Sequence, residues 1–108
     1  MADMTAETAE NRLRRLHMRS WRRGMKEMDL ILGHFADDHL AALAPADLAN
    51  YERLLSENDQ DLYLWVTARI GISPAVANAA ADRPAPEAGL APILDLIAAH
   101  AAARFRNA

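Results

Sequence analysis

The amino-acid sequence predicts an all-α fold in a single domain, and three observations support this prediction. Alanine, leucine and arginine, which are strong helix formers, dominate the composition, whereas valine, threonine and phenylalanine are scarce. No segment alternates strictly between apolar and polar residues, as a half-buried strand does. A chain of 108 residues without cysteine has room for one modest core, so packed helices are its remaining source of stability.

The first helix is predicted from about Thr8 to Arg22, with Leu13, Leu16 and Trp21 turned inward. Gly24 then interrupts the helical pattern. Because glycine has no Cβ penalty at positive φ, a glycine after a basic last turn predicts a left-handed C-cap.

The second helix is predicted from Met25 to His39 or Leu40. Its apolar side chains recur at spacings of three and four, which places them in one stripe along the helix. The residues of this stripe are Met25, Met28, Ile31, Leu32 and Phe35.

Two further helices are predicted from their start and stop residues. Pro45 fits the first turn of the third helix, where its missing N–H costs nothing. Asn58 or Asp59 can cap the fourth helix, and Gly71 ends it. The predicted buried faces are Leu48, Tyr51, Leu54 and Leu55 on the third helix, and Leu62, Trp65, Val66 and Ile70 on the fourth.

The remaining chain predicts a short helical piece at 74–81, a proline-containing linker at 82–86 and a last helix from about Leu90. The last helix carries an apolar face of Ile93, Leu94, Ile97 and Ala101, with Phe105 near its end. Residues 1–7 and 106–108 are expected to fray. We therefore predict one domain over 1–108, a compact helical bundle with short loops.

The formal net charge of −3 conceals a separation of charge along the chain. Seven of the twelve basic residues lie between Arg12 and Lys26, whereas the stretch from Glu27 to Asp61 holds nine acids and one base. The basic cluster leaves three interpretations open: a solvated helix face, a protein-docking surface and nucleic-acid binding. Nucleic-acid binding is the weakest, because the whole chain is acidic and no helix with base-reading side chains stands out.

Residue patterns for catalysis and metal binding are missing from the sequence. His34 and His39 are five residues apart and diverge on a helix, while His17 and His100 are isolated along the chain. The adjacent acids at 37 and 38 also diverge, so they are expected to be a solvated helix end and no acid/base pair. The sequence contains no phosphate-binding glycine loop and no nucleophile elbow. We therefore predict neither an enzyme nor a metal site.

No stretch is long and apolar enough for a membrane span, which needs about 20 such residues. The first residues carry Asp3, Glu7 and Glu10 and no apolar region, which argues against a secretory signal and a transit peptide. A cytoplasmic location is the resulting expectation.

The segment around Gly24 is the most informative for function. Arg23 is expected to close the first helix and Glu27 to lie in the first turn of the second, with both side chains on the same side of the corner. An exposed pair of opposite charges can clamp a partner's backbone or carboxylate through charge-assisted hydrogen bonds. Alternatively, Glu27 only complements the helix dipole and Gly24 only caps. The residue types alone leave both interpretations open.

Two patterns in this chain resemble one protein family. Arg23-Gly24-x-x-Glu27, preceded by Arg22 and followed by Asp29, resembles the Arg-Gly-x-x-Glu signature of the succinate dehydrogenase FAD assembly factors, the SdhE family. Leu54-Leu55-x-x-x-Asp59-x-Asp61-Leu62-x-x-Trp65 is similar to that family's pattern across its third and fourth helices. The resemblance covers Leu13 to Gly71, and the segment at 74–81 looks longer than the family's usual connection.

This resemblance implies a compact five-helix bundle that binds the flavoprotein subunit of succinate dehydrogenase, and in bacteria also that of fumarate reductase. Such a factor promotes covalent attachment of FAD to a histidine of that subunit; it binds no cofactor stably itself and forms a one-to-one complex as a monomer. The implied contact residues are Arg23, Gly24 and Glu27, with Arg22, Met25 and Asp29 in support. The alternative is a helical antitoxin-like or other regulatory module with a different protein partner.

Overall fold

The computed structural model describes residues 7–71 and 85–106, with side chains to residue 104. These residues form five α-helices and two short 3-10 turns and contain no strand, which confirms the all-α prediction. The helices are α1 (Ala9–Trp21), α2 (Lys26–His39), α3 (Pro45–Leu54), α4 (Asp59–Ile70) and α5 (Ala91–Arg106). The helical piece predicted at 74–81 lies outside the described residues, as do positions 82–84 of the predicted linker and residues 1–6 and 107–108 of the termini.

Local capping explains most helix boundaries. The Thr8 hydroxyl accepts a hydrogen bond from the Asn11 N–H (3.1 Å) and begins α1. Pro45 occupies the first turn of α3, the Asn58 side chain caps α4, and Gly71 ends α4 with a φ of 73°. These three predictions are confirmed.

The core lies where all five helices meet, and the predicted apolar stripes supply it. Burying a large apolar side chain contributes about 1.5–3 kcal/mol, so these stripes are the main favourable term in folding. The largest fully buried side chains are Leu16, Met28, Leu32, Phe35, Tyr51, Leu54, Leu62, Val66, Leu90, Ile93, Leu94 and Ile97. Leu13, Met25, Leu48 and Ile70 are only half-buried and pack against this cluster.

Trp21 at the end of α1 packs across Gly33 in the middle of α2. A Cβ added at Gly33 would overlap the Trp21 ring, so this glycine allows the two helices to approach closely. The indole N–H donates to Asp37 Oδ1 (3.1 Å), and the ring meets His34 edge to face with centroids 5.0 Å apart. The position of Trp21 fixes how α1 leads into the turn that follows it.

A buried polar pair also joins α1 to α3. The Ser20 hydroxyl donates to the Leu16 carbonyl (2.8 Å) and shares a hydrogen bond of 2.6 Å with the Tyr51 hydroxyl. Burial raises the pKa of Tyr51 to about 12. Because both hydroxyls are satisfied, the pair is accommodated within the core.

Candidate functional site

The turn between α1 and α2, residues 22–25, forms a corner beside the point where α3 ends and α4 begins. The left-handed C-cap predicted at Gly24 is wrong: of the described residues, only Gly71 has a positive φ. The helix ends earlier, at Trp21, and Arg22 is its C-cap with a φ of −121°. The glycine has a different role, which depends on a residue 35 positions away.

Arg23 points into the protein and joins the end of α3 to the start of α4. Its Nε donates to Asp59 Oδ1 (2.6 Å), and its two terminal nitrogens donate to the carbonyls of Leu55 (2.5 Å) and Glu57 (2.8 Å). Carbonyls at a helix C-terminus lack hydrogen-bond donors within the helix, and a guanidinium can supply the missing donors. Only 9% of the Arg23 side chain is exposed.

The backbone of the corner is fixed by two carboxylates. The Gly24 N–H donates to Asp59 Oδ2 (2.9 Å), so Asp59 uses one oxygen for the Arg23 side chain and the other for the next residue's backbone. The Arg23 N–H donates to Asp29 Oδ1 (2.5 Å) in the first turn of α2. The Arg-Gly segment of the first pattern and Asp59 of the second are therefore parts of one bonded unit.

Glu27 lies outside this unit. It is exposed in the first turn of α2, and its carboxylate has no hydrogen-bond or ion-pair partner among residues 7–71 and 85–106. Arg22 and Lys26 are exposed as well, while Met25 is half-buried against the core. The prediction that Arg23 and Glu27 point to the same side is wrong, because Asp59 and the two carbonyls that follow α3 bind the guanidinium in the interior, while Glu27 is exposed. A role of these six residues in partner binding stays a prediction.

Most arginines of α1 are paired within the chain. Arg12 and Arg15 each bond Glu52 of α3 at 2.9 Å. Arg15 also pairs with Glu7 at 2.8 Å, and Arg14 pairs with Glu10 at 2.7 Å. Burial by itself raises the pKa of Glu52, but the hydrogen bonds from Arg15 and Arg12 outweigh it, and the pKa lies below its ordinary value. Together with Arg23, four of the seven residues of the basic cluster are thus ion-paired.

An open groove of about 510 Å³ runs along α1 beside the corner. We call it the arginine groove. It is lined by Arg15, Met18, Arg19, Arg22, Arg23 and Leu55. Met18 is 47% exposed, and Leu96 at 45% is the one other large apolar side chain exposed to this extent among the described residues. Met18 is not among the candidate residues predicted from the sequence.

The histidines are paired in space, although two of them are isolated in sequence. His17 bonds Asp37, and His100 bonds Asp38 at 2.7 Å; these hydrogen bonds lower the pKa of both carboxyls, with Trp21 also contributing at Asp37. His100 packs edge to face on His39 with centroids 5.0 Å apart. Within the described part of the chain, no three metal-ligating side chains converge.

None of the helices that the structure describes combines the length and the apolarity needed to cross a membrane.

Comparison with known proteins gives a family match over most of the chain. Residues 14–101 match the family described as the flavinator of succinate dehydrogenase. The chain is 41% identical over 70 residues to succinate dehydrogenase assembly factor 2, mitochondrial, of Meyerozyma guilliermondii, covering 65% of this chain and 52% of that protein. It is 39% identical over 70 residues to the same factor of Kluyveromyces lactis, covering 65% and 43%. No solved structure gives a significant match.

The matches correct the predicted location, and they cover only part of each relative. Both relatives are named as mitochondrial, so the cytoplasmic location predicted from the sequence is wrong. That prediction relied on acids near the start of the chain, which precede the matched residues 14–101. The chain spans about half the length of the curated relatives it matches. The matched range includes the corner, all of α2 to α4 and the arginine groove.

Proposed function

This chain belongs to the family described as the flavinator of succinate dehydrogenase, and from that premise we propose that it is an assembly factor of that enzyme. It binds the flavoprotein subunit and promotes covalent attachment of FAD to a histidine of that subunit. The flavoprotein of fumarate reductase is a second client. The chain acts as a monomer in a one-to-one complex.

The observation that carries this proposal is the construction of the corner. Both patterns that resemble the assembly factors contribute to it: Arg23 and Gly24 from the first pattern bond Asp59 from the second. Glu27 follows this bonded unit in the first turn of α2, exposed and without a partner among the described residues. A fixed backbone carrying a free carboxylate favours docking, because little conformational entropy is lost when the partner binds.

In the proposed mechanism this chain is not an enzyme and binds no cofactor stably. The flavoprotein supplies both the nucleophilic histidine and the flavin pocket. The chain holds the flavoprotein in an arrangement in which the histidine and the flavin meet, an effect of proximity and orientation. Glu27 makes the contact, and Arg23, Gly24 and Asp29 position the backbone that presents it.

The test is to express the flavoprotein subunit in cells with and without this chain and to measure covalent flavin fluorescence in denaturing gels. Denaturation removes non-covalent FAD, so only the attached flavin is seen. We expect the fluorescence to fall sharply without the chain, and Glu27→Ala to fail to restore it. Asp47→Ala is the matched control, because Asp47 is also an acid in the first turn of a helix but lies on α3.

Folding of the variants separates docking from stability. Removing an acid from a first helical turn costs less than about 1 kcal/mol, so both variants should melt close to the wild type. Unchanged flavin attachment without the chain would contradict the proposed function. Full restoration by Glu27→Ala would keep the assembly role but remove Glu27 from the contact.

A further inference from the structure

The arginines at the end of α1 differ in whether they are neutralised. The segment from Arg12 to Arg23 contains six arginines, and four of them bond acidic side chains: Arg12, Arg14, Arg15 and Arg23. For Arg19 and Arg22, the residues that the structure describes provide no ion-pair partner. Arg19 lies in the last turn of α1 and Arg22 is the C-cap of that helix, so both lie at the same end of α1.

Both remaining arginines line the arginine groove, together with the exposed Met18. Leu55 and the stem of Arg23 lie against the same groove. The groove therefore combines two uncommitted positive charges with an apolar patch, directly beside the corner that carries Glu27.

We propose that the arginine groove binds an acidic segment of the flavoprotein subunit, with carboxylates on Arg19 and Arg22 and an apolar side chain against Met18. This inference rests on the proposed function and adds a second contact to it. At the arginine groove this chain supplies the positive charges, whereas at Glu27 it supplies the negative one. The partner must therefore present an acidic segment beside the group that binds Glu27.

The groove suits a protein segment better than a nucleic acid. A nucleic-acid site neutralises many phosphates, typically about six to ten, whereas only two guanidinium groups are uncommitted here. The chain as a whole carries a net charge of −3, which repels a polyanion. Methionine and arginine are enriched together in protein–protein interfaces, where an apolar centre is flanked by charge.

The experiment measures binding of the purified flavoprotein subunit to the full chain by titration calorimetry at several salt concentrations. The test variant is Arg19→Gln with Arg22→Gln, which keeps both side chains long and polar. Arg14→Gln is the matched control, because Arg14 is an exposed arginine of the same helix that already pairs with Glu10. In a second arm, a photoreactive benzoylphenylalanine replaces Met18, and the cross-linked flavoprotein peptide is identified by mass spectrometry.

We expect the double variant to bind about tenfold more weakly and with a flatter salt dependence, since two charge-assisted contacts are lost. The control should bind within about twofold of the wild type, because an exposed pair contributes little. The cross-link should fall in a segment that carries acidic residues. Circular dichroism melting curves confirm that each variant is folded.

The outcomes distinguish the two proposals. If the wild type and Glu27→Ala differ in affinity but the double variant matches the wild type, the groove proposal is overturned and the assembly role stands. A cross-link to a segment without acids overturns it as well, as does tighter binding of a DNA duplex than of the flavoprotein. If the wild type does not bind the flavoprotein at all, the proposed function fails, and the groove proposal falls with it.

Discussion

The bond between Arg23 and Asp59 is the contact whose removal should affect the fold most. Its partners lie 36 residues apart, and the side chains are only 9% and 21% exposed. Arg23→Ala removes this ion pair together with the hydrogen bonds to the carbonyls of Leu55 and Glu57. It leaves one oxygen of the Asp59 carboxylate and two carbonyls of the connection between α3 and α4 without their donor.

The cost can be bounded from the burial of the pair. Exposed ion pairs contribute about 0–1 kcal/mol, whereas removing one partner from a fully buried pair costs about 3–5 kcal/mol. This pair lies between these limits, and each lost hydrogen bond to a carbonyl adds about 1 kcal/mol. We therefore expect Arg23→Ala to lower the free energy of unfolding by about 3 kcal/mol. In a domain of this size, that lowers the melting temperature by about 12 °C.

A double-mutant cycle isolates the interaction from the other effects of each change. Asp59→Asn keeps an oxygen for the Gly24 N–H but loses the charge, so we expect a loss of about 1–2 kcal/mol. The double variant should be less destabilised than the sum, with a coupling energy of at least about 1 kcal/mol. Urea unfolding followed by circular dichroism gives all four free energies.

Two results would refute this reasoning. A loss below about 0.5 kcal/mol for Arg23→Ala would mean that Arg23 behaves as an ordinary surface residue. Additive losses in the cycle would mean that Arg23 and Asp59 do not act through each other. Arg14→Ala serves as the control and should lie within about 0.5 kcal/mol of the wild type. If Arg23→Ala is destabilised as expected, loss of flavin attachment by that variant reports folding as well as docking.

Three further predictions concern the packing of α1. Gly33→Ala should displace Trp21 and destabilise the fold by about 1–3 kcal/mol, despite the higher helix propensity of alanine. A shift in tryptophan emission with unchanged helicity would accompany this loss. A variant more stable than the wild type would contradict the prediction. Tyr51→Phe should cost about 1 kcal/mol in urea unfolding, because Ser20 loses one hydrogen-bond partner; a neutral result would mean that the pair is not formed. Glu52 has a lowered pKa in the folded protein, so the stability that its ion pairs contribute is present above its ordinary pKa of 4.5 and is lost as the pH falls below that value. The free energy of unfolding of Glu52→Gln should therefore fall less steeply with decreasing pH than that of the wild type. Equal pH slopes for the variant and the wild type would contradict this.

Features that depend on neighbouring residues could be predicted from the sequence. The apolar stripes of α2 and α4, the proline that begins α3, the Asn58 cap and the glycine that ends α4 all agree with the structure. Each depends on residues within one or two helical turns, where 3.6-residue periodicity and capping chemistry act. The resemblance of the corner to one family was visible for the same reason, since its residues are contiguous.

Gly24 shows where local patterns fail. A glycine after a basic helical turn is compatible with a left-handed cap and with a bend that brings an N–H to a distant carboxylate. The residues around Gly24 are the same in both cases. The choice between them is made by Asp59 at the start of α4, whose predicted roles were a helix cap and a part of the second pattern.

The sequence by itself determined the all-α class, the helices and the segment that defines the family. Only the tertiary structure decided which charges remain available: it turned Arg23 inward, paired Arg12 and Arg15 with Glu52, and left Glu27 exposed. The physical reason is that helix patterns depend on residues close together in sequence, whereas the partner of a charged side chain is close in space but can be distant in sequence. Helix formation is set over a few residues, whereas a charge is satisfied by whichever helix packs against it, and that helix lies tens of residues away.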